Sequence, residues 1–254
     1  MSSASAGTES AERVADVLLA FAGVDGPLGV SEIARRLDLS KAVVHRILQS
    51  LVSRSLLQYS TKSRDYQLGP GSVTLGVQAL RRLDLRTLAR VPLMELREST
   101  GETTTLSLLS GDKRIYIDQY ESPHEVKMTV ELGRMHPLHA GASSRAILAF
   151  LPEEFITRVI VAGLAATTFK TITDPDALRA NLQRVRELGY SRSERERQND
   201  AGSVAAPLFG PHGEVIGCIS ACGPSARFDD AVVARYAPLV TSTAARITAL
   251  ISEP

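Results

Sequence analysis

The chain has 254 residues, and its 29 lysines and arginines nearly balance its 28 aspartates and glutamates, leaving a net charge of +1. With 44% apolar residues it can bury the core of one large domain or two ordinary ones, while its lack of tryptophan and 5% aromatic content argue against a surface that stacks sugars or single-stranded bases. Two cysteines, Cys218 and Cys222, exclude a disulfide framework and fit a reduced, cytoplasmic setting, and no apolar run reaches the length needed to cross a bilayer, so no membrane partner is expected. Met1 to Ser10 lacks the charged flank and apolar centre of a secretory leader, and residues 1–8 are expected to form a disordered tail.

A first helix is predicted from near Glu9 to Val24, with Val14, Val17, Leu18 and Phe21 facing inward and Gly23 and Gly26-Pro27 ending it. Ile33, Ala34 and Leu37 repeat at helical spacing, and Asp38-Leu39-Ser40 interrupts the pattern. Ser40 is a good N-cap, because its hydroxyl can accept a free backbone N–H of the next helix. That helix carries Val44, Ile47, Leu48, Leu51 and Val52 on one face and keeps Lys41, His45 and Arg46 off it. Leu56-Leu57-Gln58-Tyr59 and Tyr66-Gln67-Leu68 are short β-prone runs flanking a polar tip that holds Lys62 and Arg64.

A short helix, a tight turn, a capped second helix and a hairpin form a winged helix-turn-helix, whose second helix lies in a DNA major groove. Between Ser31 and Arg64 seven basic residues face only Glu32 and Asp38, a local charge of +5 in a chain of +1. Lys41 and Arg46 can reach phosphates or guanine edges, and His45 can bond to either. Ala42 and Val43 can press on a thymine methyl, and Ser40 sits at the start of the same helix. Lys62 and Arg64 suit phosphate or the minor groove. Arg35 and Arg36 suit phosphate, with a solvated helix face as the alternative. The competing reading of the whole segment is a small helical domain with solvated charges.

After the break at Leu68-Gly69-Pro70-Gly71, a connecting helix is predicted over Val73 to Arg82 with Val73, Val77 and Leu80 on one side. A second, over Leu85 to Ser99, holds Leu88, Val91 and Leu96, with Pro92 bending or starting it. These stripes face either a second copy or the same chain. Thr103–Leu109 and Lys113–Tyr120 read as strands joined by Ser110-Gly111-Asp112, and Val126–Val130 as another strand. Ser143–Leu151 and Pro152–Val161 read as helices. Asp174-Pro175-Asp176 caps a helix that runs to Glu187 and stops at Gly189. Ser203–Phe209 and Val215–Cys222 are strands, and Asp229–Ile251 is a last long helix. The mixture predicts an α+β domain with a mainly antiparallel sheet.

Gly141-Ala142-Ser143-Ser144 opens a helix whose free N–H groups suit a carboxylate or other polar oxygen, the alternative being plain capping by a serine. Ser220 and Cys222 are two apart on a strand and share a face. His139, Ser143, Ser144 and Glu194 contain the residue types of a nucleophile set, but no Gly-x-Ser-x-Gly elbow is present, so an enzyme, in particular a small-molecule hydrolase, is a distant alternative. His136, His139, Cys218 and Cys222 are zinc-ligand types without finger or ribbon spacing, so a metal-responsive protein is another alternative. No metal or cofactor is expected.

The stretches Ser31–Leu37, Lys41–Leu51, Tyr66–Gly69, Leu138–Ala142, Thr173–Leu178 and Ser220–Pro224 occur in an order and spacing that resembles the IclR family of bacterial transcriptional regulators over almost the full length. The resemblance implies a winged helix-turn-helix at residues 9–70, a linker helix at 71–84, and an effector-binding and oligomerisation domain at 85–254 with a GAF/PAS-like sheet. It implies a homodimer, or a dimer of dimers, on a palindromic double-stranded operator. The function implied is a ligand-responsive regulator, a repressor in preference to an activator, of a catabolic operon, sensing a small organic acid or a related aromatic or amide metabolite. On matched positions the effector pocket takes in Ala142, Ser143, Ser144, Glu194, Ser203, Ser220 and Cys222, with Met128 as a further candidate. Glu194 stands where the family often has Asp, and a one-residue slip in Ser193–Arg197 would change that assignment. The chain departs from the family at Ser144, usually glycine, at Arg145, usually lysine, and at Ala42-Val43, more often Ser-Thr.

Overall fold

Helical spacing in the first part of the chain resolves into three helices and a hairpin. The computed structural model describes residues 8–24, 26–82 and 85–252, in two compact units that divide after residue 83. The expected tail at 1–8 lies outside the described residues except for Thr8. Thr8 is the N-cap of α1 (Glu9–Leu19), its hydroxyl accepting the Ala11 N–H at 3.4 Å. The helix does not run on to Val24; it tightens into a 3-10 turn at Ala20–Gly23, and Val14 is exposed rather than inward-facing.

Helices α2 (Val30–Leu37) and α3 (Lys41–Ser53) follow. Between them Asp38 adopts a left-handed conformation, φ 51°, which makes the tight turn. Strands β1 (Leu57–Ser60) and β2 (Asp65–Leu68) pair antiparallel in the register Leu57↔Leu68, and Leu28 bridges to Tyr66 beside them. The core joins Val17, Phe21, Ile33, Val44, Leu48, Leu51, Leu57 and Tyr66. Helix α4 (Pro70–Arg82) leaves the hairpin so closely that a Cβ at Gly69 would stand 2.4 Å from the Ser55 carbonyl oxygen. Val73 is exposed, and the Val77 and Leu80 side chains lie outside the described residues.

The second unit is a six-stranded sheet with helices on both faces. In chain order it comprises α5 (Leu85–Thr100), β3 (Thr103–Ser110), β4 (Lys113–Tyr120), β5 (Met135–Pro137), α6 (Ala142–Leu148), α7 (Glu153–Val161), α8 (Pro175–Leu188), β6 (Ser191–Glu194), β7 (Ala201–Phe209), β8 (Val215–Pro224) and α9 (Asp230–Ser252). The strand order is β5-β4-β3-β8-β7-β6, with every pair antiparallel. One core packs Leu93 and Leu96 of α5 and Val240 and Ile247 of α9 against Leu106, Val204 and Ile219. On α5 the buried stripe is Leu85, Ala89, Pro92, Leu93 and Leu96, while Val91 is exposed. A second core sets α6 and α8 against Leu138, Ala205 and Cys218. Asp174 caps α8 through the Ala177 N–H at 2.7 Å, and Gly189 ends it at φ 74°.

Val126–Val130 is not a strand. Its terminal residue pairs with a side chain instead: Gln119 Oε1 accepts the Val130 N–H at 2.8 Å and Gln119 Nε2 donates to the Val130 carbonyl at 2.9 Å. Strands β5 and β6 were not expected, because three and four residues of mixed polarity carry too little alternation to read. Among the described residues no helix is long and apolar enough to cross a membrane.

Candidate functional site

In the first unit the exposed side of α3 gathers the residues singled out for DNA. Ser40 accepts the Val43 N–H at 3.3 Å, satisfying one orphan donor of the first turn. Val44, Ile47, Leu48 and Leu51 are buried, which leaves Lys41, Ala42, His45 and Arg46 exposed and Val43 half-buried. Arg36 is tied to Glu32 at 2.6 Å. Arg35, Lys41, Arg46, Lys62 and Arg64 are exposed and have no ion-pair partner among the described residues. Lys62 and Arg64 sit at the hairpin tip, where Arg64 holds φ 60° and donates its N–H to the Ser60 carbonyl at 2.8 Å. The unit therefore presents uncompensated cations on a helix face and on a wing, the two elements that reach groove and backbone in this motif.

In the second unit a small cavity, with about 30 Å³ of space open to water, lies between the start of α6, the strands β4, β6, β7 and β8, and residues 128–130. Of the residues put forward for the effector, Met128, Ala142, Ser143, Ser203, Ser220 and Cys222 line it. Two proposed residues do not. Ser144 is fully buried behind the wall, donating to the Pro137 carbonyl at 2.7 Å and accepting from Arg114 Nε at 2.9 Å. Glu194 is exposed, because β6 alternates Ser191 and Ser193 inward with Arg192 and Glu194 outward; Ser193 lines the cavity in its place.

Sequence reasoning missed Arg114, Tyr116 and Arg197. The signal was there in β4: if Ile115 and Ile117 face one side of the strand, Arg114 and Tyr116 face the other. Arg114 is 1% exposed. It donates to three hydroxyls, Ser144 at 2.9 Å, Ser107 at 3.1 Å and Tyr116 at 3.0 Å, and its guanidinium carbon stands 4.2 Å from the centre of the Tyr116 ring. Arg197 lies 5.5 Å from the same ring centre, and its Nη1 is 3.4 Å from His136 Nε2. Neither arginine has a carboxylate partner among the described residues.

The nearby buried carboxylates are committed elsewhere. Glu196 pairs with Arg145, whose Nη2 donates to Oε1 at 2.7 Å and to the Arg192 carbonyl at 2.7 Å. Glu102 takes both Arg227 nitrogens, the longer contact at 2.9 Å. The cavity is thus positive. Burial, with the fields of Arg114, Arg197 and Arg134, pushes His136 down to about 3, so its ring is neutral. Burial pushes Cys218 up to about 11 and Cys222 up to about 12, so both thiols stay protonated. Cys218 donates to the Ser143 carbonyl at 3.2 Å.

The other constellations are not assembled. His139 Nε2 bonds to the Ala165 carbonyl at 2.9 Å, away from Ser144 and from the exposed Glu194. Among the described residues no group of three or more His, Cys, Asp or Glu side chains is placed to hold a metal ion.

Comparison with known proteins agrees with both units. Residues 10–61 match the IclR helix-turn-helix domain, and residues 77–249 match the bacterial transcriptional regulator IclR C-terminal domain. The transcriptional regulator BhcR of Paracoccus denitrificans is 32% identical over 96% of this chain and 88% of its own length. The transcriptional repressor IclR of Escherichia coli is 28% identical over 94% of this chain and 89% of its own. The crystal structure of an IclR-type regulator from Silicibacter sp. TM1040 superposes with a TM-score of 0.90 at 29% identity, covering 96% of this chain and 97% of that one. With a helix-turn-helix, an antiparallel sheet flanked by helices, and a match to both family domains, the chain belongs to the IclR family of bacterial transcriptional regulators.

Proposed function

We propose that the protein is a repressor of a catabolic operon that binds a palindromic operator as a dimer, or as a pair of dimers, and responds to a small organic acid. It works in the cytoplasm, where its operator lies. Residues 9–70 read the DNA, 71–84 link, and 85–254 bind the effector and assemble the oligomer. Lys41, His45 and Arg46 address base edges and phosphates, Ala42 and Val43 contact thymine methyls, and Arg35, Lys62 and Arg64 hold backbone phosphates. The effector occupies the cavity of Met128, Ala142, Ser143, Ser203, Ser220 and Cys222. The observation that carries the organic-acid reading is Arg114, a buried guanidinium without a carboxylate partner among the described residues. Repression is supported by the E. coli relative, which is named a repressor.

An effector changes operator affinity only as far as it favours one arrangement of the two DNA-binding units over another. The test is fluorescence anisotropy with duplexes from the region upstream of the gene, against random duplex, at moderate ionic strength. A preference for the upstream fragment that weakens when small organic acids are added is expected. Equal affinity for both duplexes with and without acids would overturn the proposal.

A further inference from the structure

Two cations face one cavity, and no anion among the described residues answers them. Arg114, 1% exposed, is held by the hydroxyls of Ser107, Tyr116 and Ser144, which fix its direction and supply no charge. Ser144, one of the three, accepts from Arg114 Nε at 2.9 Å. Arg197 reaches the same Tyr116 ring from 5.5 Å. Glu196 and Glu102 are each matched one-to-one by Arg145 and Arg227, so the excess charge at the cavity is +2. Buried cations without counter-charge are unfavourable, and like charges facing one small space add their repulsion.

We infer that the effector is a small dianion, a dicarboxylate in its chemistry, whose two anionic groups are taken up by Arg114 and Arg197. A monocarboxylate would neutralise one guanidinium and leave the other without a counter-charge. A neutral His136 adds no third positive charge that would call for a larger anion. The hydroxyls of Ser193, Ser203 and Ser220 line the remainder of the space and suit the polar oxygens of such a ligand. The inference rests on the reading of this cavity as the effector site.

The test is titration calorimetry on the full-length protein with malonate, succinate, butyrate, succinamide and sulfate. Malonate or succinate is expected to bind saturably, about tenfold or more tighter than butyrate, with no binding of succinamide. Arg197 is half-buried, so Arg197→Gln should fold; it is expected to remove the dicarboxylate advantage and leave butyrate nearly unchanged. Arg114→Met, with its fold checked by circular dichroism, should weaken both kinds of acid. Equal binding of butyrate or succinamide, sulfate as tight as the dicarboxylates, no binding by either dicarboxylate, or an unchanged advantage in Arg197→Gln would each overturn the inference. Operator binding is followed in parallel. Operator release by a neutral ligand would sink the dianion and leave the regulator standing. Dicarboxylate binding with no effect on operator affinity would support the site and overturn the regulatory reading.

Discussion

Arg145 is a buried cation on α6. It is 1% exposed, and among the described residues its charge is answered by Glu196 alone. Removing one partner of such a pair leaves the other as a bare buried charge, at a cost of about 3–5 kcal/mol, whereas replacing both with apolar groups of similar volume is often neutral. Glu196→Ala should therefore lower the unfolding free energy by about that amount, and Arg145→Met combined with Glu196→Leu should recover most of it in urea titrations. If the single variant loses less than about 1 kcal/mol, water must reach the pair and screen it. Arg64 carries a different kind of tension. A non-glycine residue at φ 60° costs about 1 kcal/mol, and a cation is kept there in spite of it. Arg64→Gly is expected to raise thermal stability slightly while weakening operator binding; a variant that gains stability and binds the operator unchanged would remove Arg64 from the contact set.

At the scale of elements, helix α3 concentrates what was legible. Its buried residues recur at the helical period, its cap is a serine, and its exposed residues are those left over. Ser40→Ala should cost about 1 kcal/mol in chemical denaturation, because the Val43 N–H loses its acceptor. Arg46→Ala should weaken the operator by about 1–3 kcal/mol while hardly changing random duplex, if Arg46 is bidentate to a guanine. Lys62→Ala should weaken both duplexes alike, as a phosphate contact does. A uniform loss for Arg46→Ala in anisotropy would move it to the backbone. The antiparallel sheet and the capped α8 were also readable, because strand alternation and an Asp-Pro start are local signals. What was not readable depended on distant partners. Val126–Val130 has β-branched residues at its ends but meets the Gln119 side chain where a neighbouring strand was needed. Glu194 and Ser193 differ by one position, and only the pairing of β6 with β7 fixes which faces inward. Arg114 could be placed on a face from sequence, but its lack of a carboxylate could not, since that depends on Glu196 and Glu102 finding Arg145 and Arg227 instead.

For the whole molecule, the charge pattern and the cavity meet in how it responds to solution conditions. The +5 between Ser31 and Arg64, against +1 overall, leaves the rest of the chain net negative. Operator affinity should thus fall steeply with salt, as cations released from the duplex are replaced. Acid acts on the other unit. His136 packs its ring edge-on against Tyr116 at 5.3 Å, with its Nε2 facing Arg197. Its folded-state value of about 3 lies below the ordinary 6.5. The unfolded chain takes up a proton as pH falls through 6.5, and the folded protein does not until near 3. Stability from this residue is therefore complete above 6.5 and is lost on acidification across that window, by about 1.4 kcal/mol per pH unit at most. His136→Phe keeps a ring against Tyr116 and removes the titration. Carboxylates titrate in both proteins, so the difference between them isolates the histidine. Urea denaturation at pH 7, 6, 5 and 4 should show the variant losing less stability than the parent as pH falls. Parallel curves for parent and variant would mean that burial and the arginine fields do not hold the ring neutral in the folded protein.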